Sequence, residues 1–221
     1  MAESATALLK RDAELRSRQI TWLNRWQDIA DFVAPERSRI LSSAEGPIAA
    51  STDTLYDSTA IHAAGLLASS IHGTMTPATQ PWVSFVMRDE DLNEQQDTQK
   101  WLEDDATRIH KALRQANFTT AVHEMYLDLV RFATAAILTE EKDPTPRGGF
   151  SGFRFTAIPI GTYRIAEDKD GLADTLFRDL QLTRRVCVTM WQDTLPEDFL
   201  AKAHQKPDEI VQVLHAGYPR R

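Results

Sequence analysis

Residues 153–180 read FRFTAIPIGTYRIAEDKDGLADTLFRDL, and this stretch decides the class of fold. Phe153-Arg154-Phe155-Thr156-Ala157-Ile158 alternates with a period of two, as do Tyr163-Arg164-Ile165 and Thr175-Leu176-Phe177-Arg178. Such alternation places one face of a strand in a core and the other in water. Asp170-Gly171 stands between the last two runs, a pair suited to the backbone angles of a hairpin. The stretch predicts antiparallel strands. Pro144 and Pro146 precede it, and upstream of them the apolar spacing is helical.

Working toward the N terminus, two helices fill the middle of the chain. Trp101, Leu102, Ala106, Ile109, Leu113 and Ala116 line the first, which Asn117 breaks. Thr119 or Thr120 caps the second, whose Val122, Met125, Tyr126, Leu129, Phe132, Ala136 and Ile137 recur at helical spacing. Before them, Pro77 and Pro81 stop any helix, and Trp82 to Met87 reads as a short buried strand or extended segment. A further helix starts at Asp57 or Ser58 and ends at Gly73. Its Ala60, Ala63, Ala64, Gly65 and Ala68 predict a close neighbour. Ser38–Thr54, with Gly46-Pro47, reads as a loop.

The opening helix runs from about Glu3 to Ala34, where Pro35 ends it. Leu8, Leu15, Trp22 and Ile29 recur every seven residues, with Trp26 and Val33 beside them. Trp22 and Trp26 are expected to be packed, because no basic groove accompanies them for stacking bases.

On the C-terminal side, Thr183 caps a short helix through Trp191, Pro196 opens another, and Ile210 to His215 is extended. The chain stops soon after. Ile210–Tyr218 is therefore expected to be poorly ordered or paired with a neighbouring molecule. The expected class is α+β: a mainly helical region at 1–141, then an α+β region at 142–221 with a small antiparallel sheet and short helices.

Of the 221 residues, 42% are hydrophobic and 26% charged, which excludes a fully disordered or fibrous chain. No apolar run approaches the ~20 residues of a membrane-spanning helix, and no signal-peptide pattern opens the chain. One cysteine, Cys187, excludes an internal disulfide. The net charge of −7 argues against a general nucleic-acid binder. Asp89–Asp105 alone holds eight acids against Lys100. That run lacks the glycine a calcium loop needs and reads as a solvated loop and helix N terminus.

The motifs of known chemistries are missing. His62 and His72 are too far apart for a short-spaced metal motif, and His123-Glu124 lacks a second histidine four residues on. Gly148-Gly149 and Gly152 lack the lysine and hydroxyl of a phosphate loop. No Gly-x-Ser-x-Gly elbow occurs. Cys187 lies between Val186 and Val188, a setting that makes a thiol inert. No catalytic, cofactor-binding or metal-binding residue is assigned, no cofactor is expected, and the reading is of a protein that is not an enzyme.

Several segments, taken in order, resemble the head-to-tail connecting (portal) proteins of short-tailed bacteriophages. They are RWQDIADFVAP at 25–35, YDSTA at 56–60, LLASSIHGTMTP at 66–77, Pro81-Trp82, Asn117-Phe118 and YLDL at 126–129. IPIG at 158–161 with Tyr163, AED at 166–168, Asp170-Gly171 and LHA at 214–216 complete the series. The resemblance implies a structural role. Portal proteins form a ring, commonly a dodecamer, at one capsid vertex, through which double-stranded DNA passes non-specifically during packaging and ejection. It also implies the major capsid protein, the terminase large subunit and tail adaptors as partners. The implied location is the virion, with the host cytoplasm during assembly and no membrane. Portal chains are considerably longer, so much of the stem and clip is expected to be missing. The alternative is a small protein-interaction module, a phage adaptor or a prophage remnant, without a role in DNA translocation.

Overall fold

The computed structural model describes residues 4–37, 40, 55–142 and 149–219. Helix α1 spans Ala5–Val33, and Pro35–Arg37 forms one 3-10 turn after it. Helix α2 spans Thr59–Met75. The Asp57 carboxylate accepts from the backbone N–H of Thr59 at 3.0 Å and from its hydroxyl at 2.9 Å. Those two bonds, the backbone one first, hold the Asp57 carboxyl below its usual range. Gly73 lies inside α2 instead of closing it. It has no positive φ, and a glycine ends a helix mainly by adopting one. The expected loop at Ser38–Thr54 falls, Ile40 apart, outside the described residues.

Two short-range helices follow, α3 at Glu90–Asn93 and α4 at Gln96–Gln115, then α5 at Phe118–Phe132. Helix α5 begins one residue before Thr119, so neither threonine caps it. Asn117 sits at the cap position, and its amide turns elsewhere: it donates to the Phe155 carbonyl at 2.7 Å and accepts from the Phe155 N–H at 2.9 Å. Ala133 ends α5 in the left-handed conformation at φ 58°. Ala136 and Ile137 consequently leave the helical pattern and open strand β1, Ala136–Glu141. Strand β2, Phe153–Ile158, pairs antiparallel with it from Ala136↔Ile158 to Glu141↔Phe153.

A second sheet has the order β3-β4-β5, with β3 at Tyr163–Glu167, β4 at Ala173–Thr183 and β5 at Ile210–Gly217. The β3–β4 hairpin turns through five residues. Asp168 Oδ1 accepts from the N–H of Asp170 at 2.8 Å and of Leu172 at 3.0 Å, and Gly171 supplies a φ of 76°. Thr183 caps α6, Arg184–Trp191, by accepting from the Val186 N–H. Pro196 immediately precedes α7, Glu197–Gln205. Strand β5 is ordered and paired within its own chain, from Leu176↔Gly217 to Thr183↔Ile210. This corrects the expectation of disorder, because β3 and β5 bond opposite edges of β4, Leu176–Arg178 pairing with both; the second edge of β5 is bonded to no strand among the described residues.

The chain divides into two compact units, one from the start through Asn24 together with Gly161 onward, the other Arg25–Ile160. In the second, Ala64 and Ala68 of α2 are buried, and Ala68 packs with Val122 and Tyr126 of α5. The small residues of α2 thus do face a neighbour, although Gly65 has open space where a side chain would stand.

Candidate functional site

In the first unit, β4 alternates Thr175, Phe177 and Asp179 on one face, and the N-terminal half of α1 covers that face with charged side chains. Arg164 of β3 is the hub. Its Nε donates to Asp12 Oδ1 at 2.6 Å, and its two terminal nitrogens fork onto Asp179 at 2.9 and 3.0 Å. Arg16 reaches both carboxylates, at 3.4 Å to Asp12 and 3.2 Å to Asp179. Arg11 donates to Thr175 Oγ1 and lies over the ring of Phe177, 5.9 Å from its centroid. Burial alone would pull the Arg164 pKa down; the hydrogen bonds and charge of Asp179, joined by Asp12, outweigh it and raise the value. The cluster is a clamp with every charge answered, and it offers no vacant reactive group.

The second unit is aromatic. Trp82 stacks on Phe118 at 5.7 Å with 16° between planes, and Phe118 meets Phe155 edge-on at 5.1 Å. His110 of α4 accepts at Nε2 from the N–H groups of Trp82 and Val83, at 3.3 and 3.2 Å. Trp82–Met87 forms no strand, and Trp82 and Phe85 stay partly exposed, so the extended alternative holds over the buried strand. At the α2–α5 contact, His72 Nδ1 shares a hydrogen bond with Thr76 Oγ1 at 2.9 Å, and Thr76 lies 3.4 Å from the Tyr126 hydroxyl. The His123 ring stands 6.0 Å from that of His72, edge to face. Burial first, and the charge of His123 second, lower the His72 pKa. Asp128 is buried beside Arg37 at 3.6 Å. Desolvation raises its pKa against the opposing pull of Arg37 and Arg131. Arg131 in turn pairs with Glu36.

Trp26 is 8% exposed and Trp22 54%, so the tryptophan pair is split. Trp22, Trp26, Ala30 and Ala34 follow one another at four-residue steps, and burial begins at Trp26. The acidic run occupies α3, the start of α4 and the turn between them, mostly exposed; among its eight acids only Asp105 makes a salt bridge, to Arg108. Cys187 is buried on α6, and desolvation pushes its thiol up. Among the described residues no three His, Cys, Asp or Glu side chains gather for a metal ion. Sequence reasoning missed Asp12, Arg164, His110 and Asn117. For Asp12 a signal existed: four residues after Leu8 and three before Leu15, it is a charge on the apolar stripe.

The surface carries large apolar side chains. Leu66, 72% exposed, Leu67 and Met75 project from α2, and Val86, 79% exposed, from the segment before α3. Strand β5 is bonded to β4 on one side only, and its sequence IVQVLHAG holds no Asp, Glu, Lys, Arg or Pro to guard the other. The chain belongs to the bacteriophage head to tail connecting protein family, whose model matches residues 5–221. It is 28% identical over 181 residues to the portal protein of Salmonella phage epsilon15, covering 82% of this chain and 32% of that one. It is 26% identical over 223 residues to the probable portal protein of Bordetella phage BPP-1, covering 96% of this chain and 38% of that one. The chain thus spans about a third of the length of the curated relatives it matches.

Proposed function

We propose that this chain acts as a structural part of a phage portal, joining with copies of itself into a ring at the capsid vertex. The family match across residues 5–221 carries this reading. Double-stranded DNA passes through the ring without sequence-specific contacts, consistent with a net charge of −7 that offers few partners to phosphates. The partners are the major capsid protein, the terminase large subunit and tail adaptors; the locations are the host cytoplasm during assembly and then the virion. In this role no residue is catalytic, and residues 1–141 and 142–221 act as a helical and an α+β region. The open β5 edge supports association with further chains.

Sizing the purified chain by light scattering over a concentration series, with electron micrographs of the largest species, tests the reading. Closed rings with a central opening are expected. A monomer at every concentration that binds one partner tightly would replace it with the interaction-module alternative.

A further inference from the structure

The segment Pro81–Met87 runs beside α4 without regular secondary structure, and side chains fasten it at both ends. At one end His110 Nε2 holds the N–H groups of Trp82 and Val83. At the other, the Asn93 amide holds Met87 twice, accepting from its N–H at 2.7 Å and donating to its carbonyl at 3.0 Å. Between these fastenings the backbone groups of Ser84, Phe85 and Val86 make no hydrogen bond among the described residues, and all three residues are exposed. Donors and acceptors held in place yet unpaired are a template for another backbone.

A groove of about 490 Å³ lies between this segment and α4. Phe85, Val86, Leu102 and Ala106 give it apolar walls, and Glu103 is the only charged residue lining it. Glu103 makes no salt bridge among the described residues, and Asp104, next to it in α4, makes none either. We infer that this groove binds an extended peptide segment whose groove-facing positions, every second residue, carry apolar side chains and a lysine or arginine. The peptide backbone pairs with Ser84–Val86, its apolar side chains enter the groove, and its cations answer Glu103. The acidic surroundings turn away nucleic acid and acidic peptides by the same charge. The two fastenings fix the template before the partner arrives, which reduces the ordering cost of binding.

The test uses the full chain, isotope-labelled, titrated with the synthetic peptides VSKSVSV and VSESVSV, in which the valines and the single charge share one face. The basic peptide is expected to bind, shifting the amide resonances of Ser84–Val86, and the acidic one to bind at least about tenfold more weakly. Glu103→Lys, at an exposed position, is expected to weaken the basic peptide about tenfold while leaving the fold and melting temperature unchanged. Methylating alternate backbone nitrogens of the basic peptide is expected to abolish its binding. Equal affinity for both peptides, an unaffected Glu103→Lys variant, or shifts confined to other surfaces would each overturn the inference. So would shifts at Ser84–Val86 that grow with protein concentration alone, which would assign the groove to a second copy of the chain.

Discussion

One helix serves two different kinds of interior. In the first unit α1 presents Arg11, Asp12, Arg16 and Gln19, and each forms a hydrogen bond to a strand residue or to another member of the clamp. In the second unit it presents Trp26 and Ala30, both buried and apolar, although that unit also buries Asp128 beside Arg37. The two solutions respond to perturbation in different ways. A charged interior depends on every partner being present, since a lone buried charge cannot be rehydrated. An apolar interior loses stability in proportion to the volume removed.

The largest effect should come from Arg164→Ala. It takes from buried Asp12 the closer of its two cations and leaves Arg16 at 3.4 Å, a loss toward the lower end of the about 3–5 kcal/mol for a broken buried pair, seen as a drop in the denaturant midpoint. The double change Arg164→Met with Asp12→Leu should restore most of that loss, because replacing a whole buried pair by apolar groups is close to neutral. A double variant as unstable as the single one would mean that shape, and not charge pairing, holds the first unit.

Trp26→Ala should cost about 3 kcal/mol, as expected for a buried aromatic with a slightly open edge. Trp22→Ala should stay within about 0.5 kcal/mol in the dissociated chain. Equal losses at the two positions, measured by the same denaturation curves, would remove the distinction between them.

The smallest effect is a slope. The folded Asp128 carboxyl titrates above its unfolded value of about 3.9. Between those two values the folded state holds the extra proton, so stability falls as pH rises through that window. Asp128→Asn should flatten the decline in melting temperature from pH 4 upward. A variant whose curve runs parallel to that of the parent would show that Arg37 and Arg131 fully offset the burial of the carboxylate.

What could be read from the sequence was local. The alternation at 153–158, the Asp170-Gly171 turn and the Thr183 cap each depend on residues a few positions apart, and each is present in the fold. The end of α5 was not readable. Ala136 and Ile137 continue the helical phase, and the residue that turns the chain is Ala133, which carries no stop signal. The clamp was half legible: Asp12 interrupts an apolar stripe, but its partner Arg164 lies 152 residues away. The peptide groove was not legible at all, since it exists only because His110 and Asn93 reach back to fasten a segment with no periodicity of its own. The family resemblance, by contrast, rested on the order of many short segments and needed no knowledge of contacts.

The division of the chain also sets an order of events during folding. The second unit is one continuous stretch, whereas the first is assembled from the two ends of the described chain. Were the chain between them unfolded, bringing Asp12 to Arg164 across 152 residues would cost about 4 kcal/mol in closure entropy on the logarithmic rule, a cost that a folded second unit reduces. A ribosome delivers Arg25–Ile160 before any residue of β3, β4 or β5, so the charged half of α1 waits for its strands. The late step is the docking of strands made last onto a helix made first, and Arg164 is the residue whose loss should slow it most.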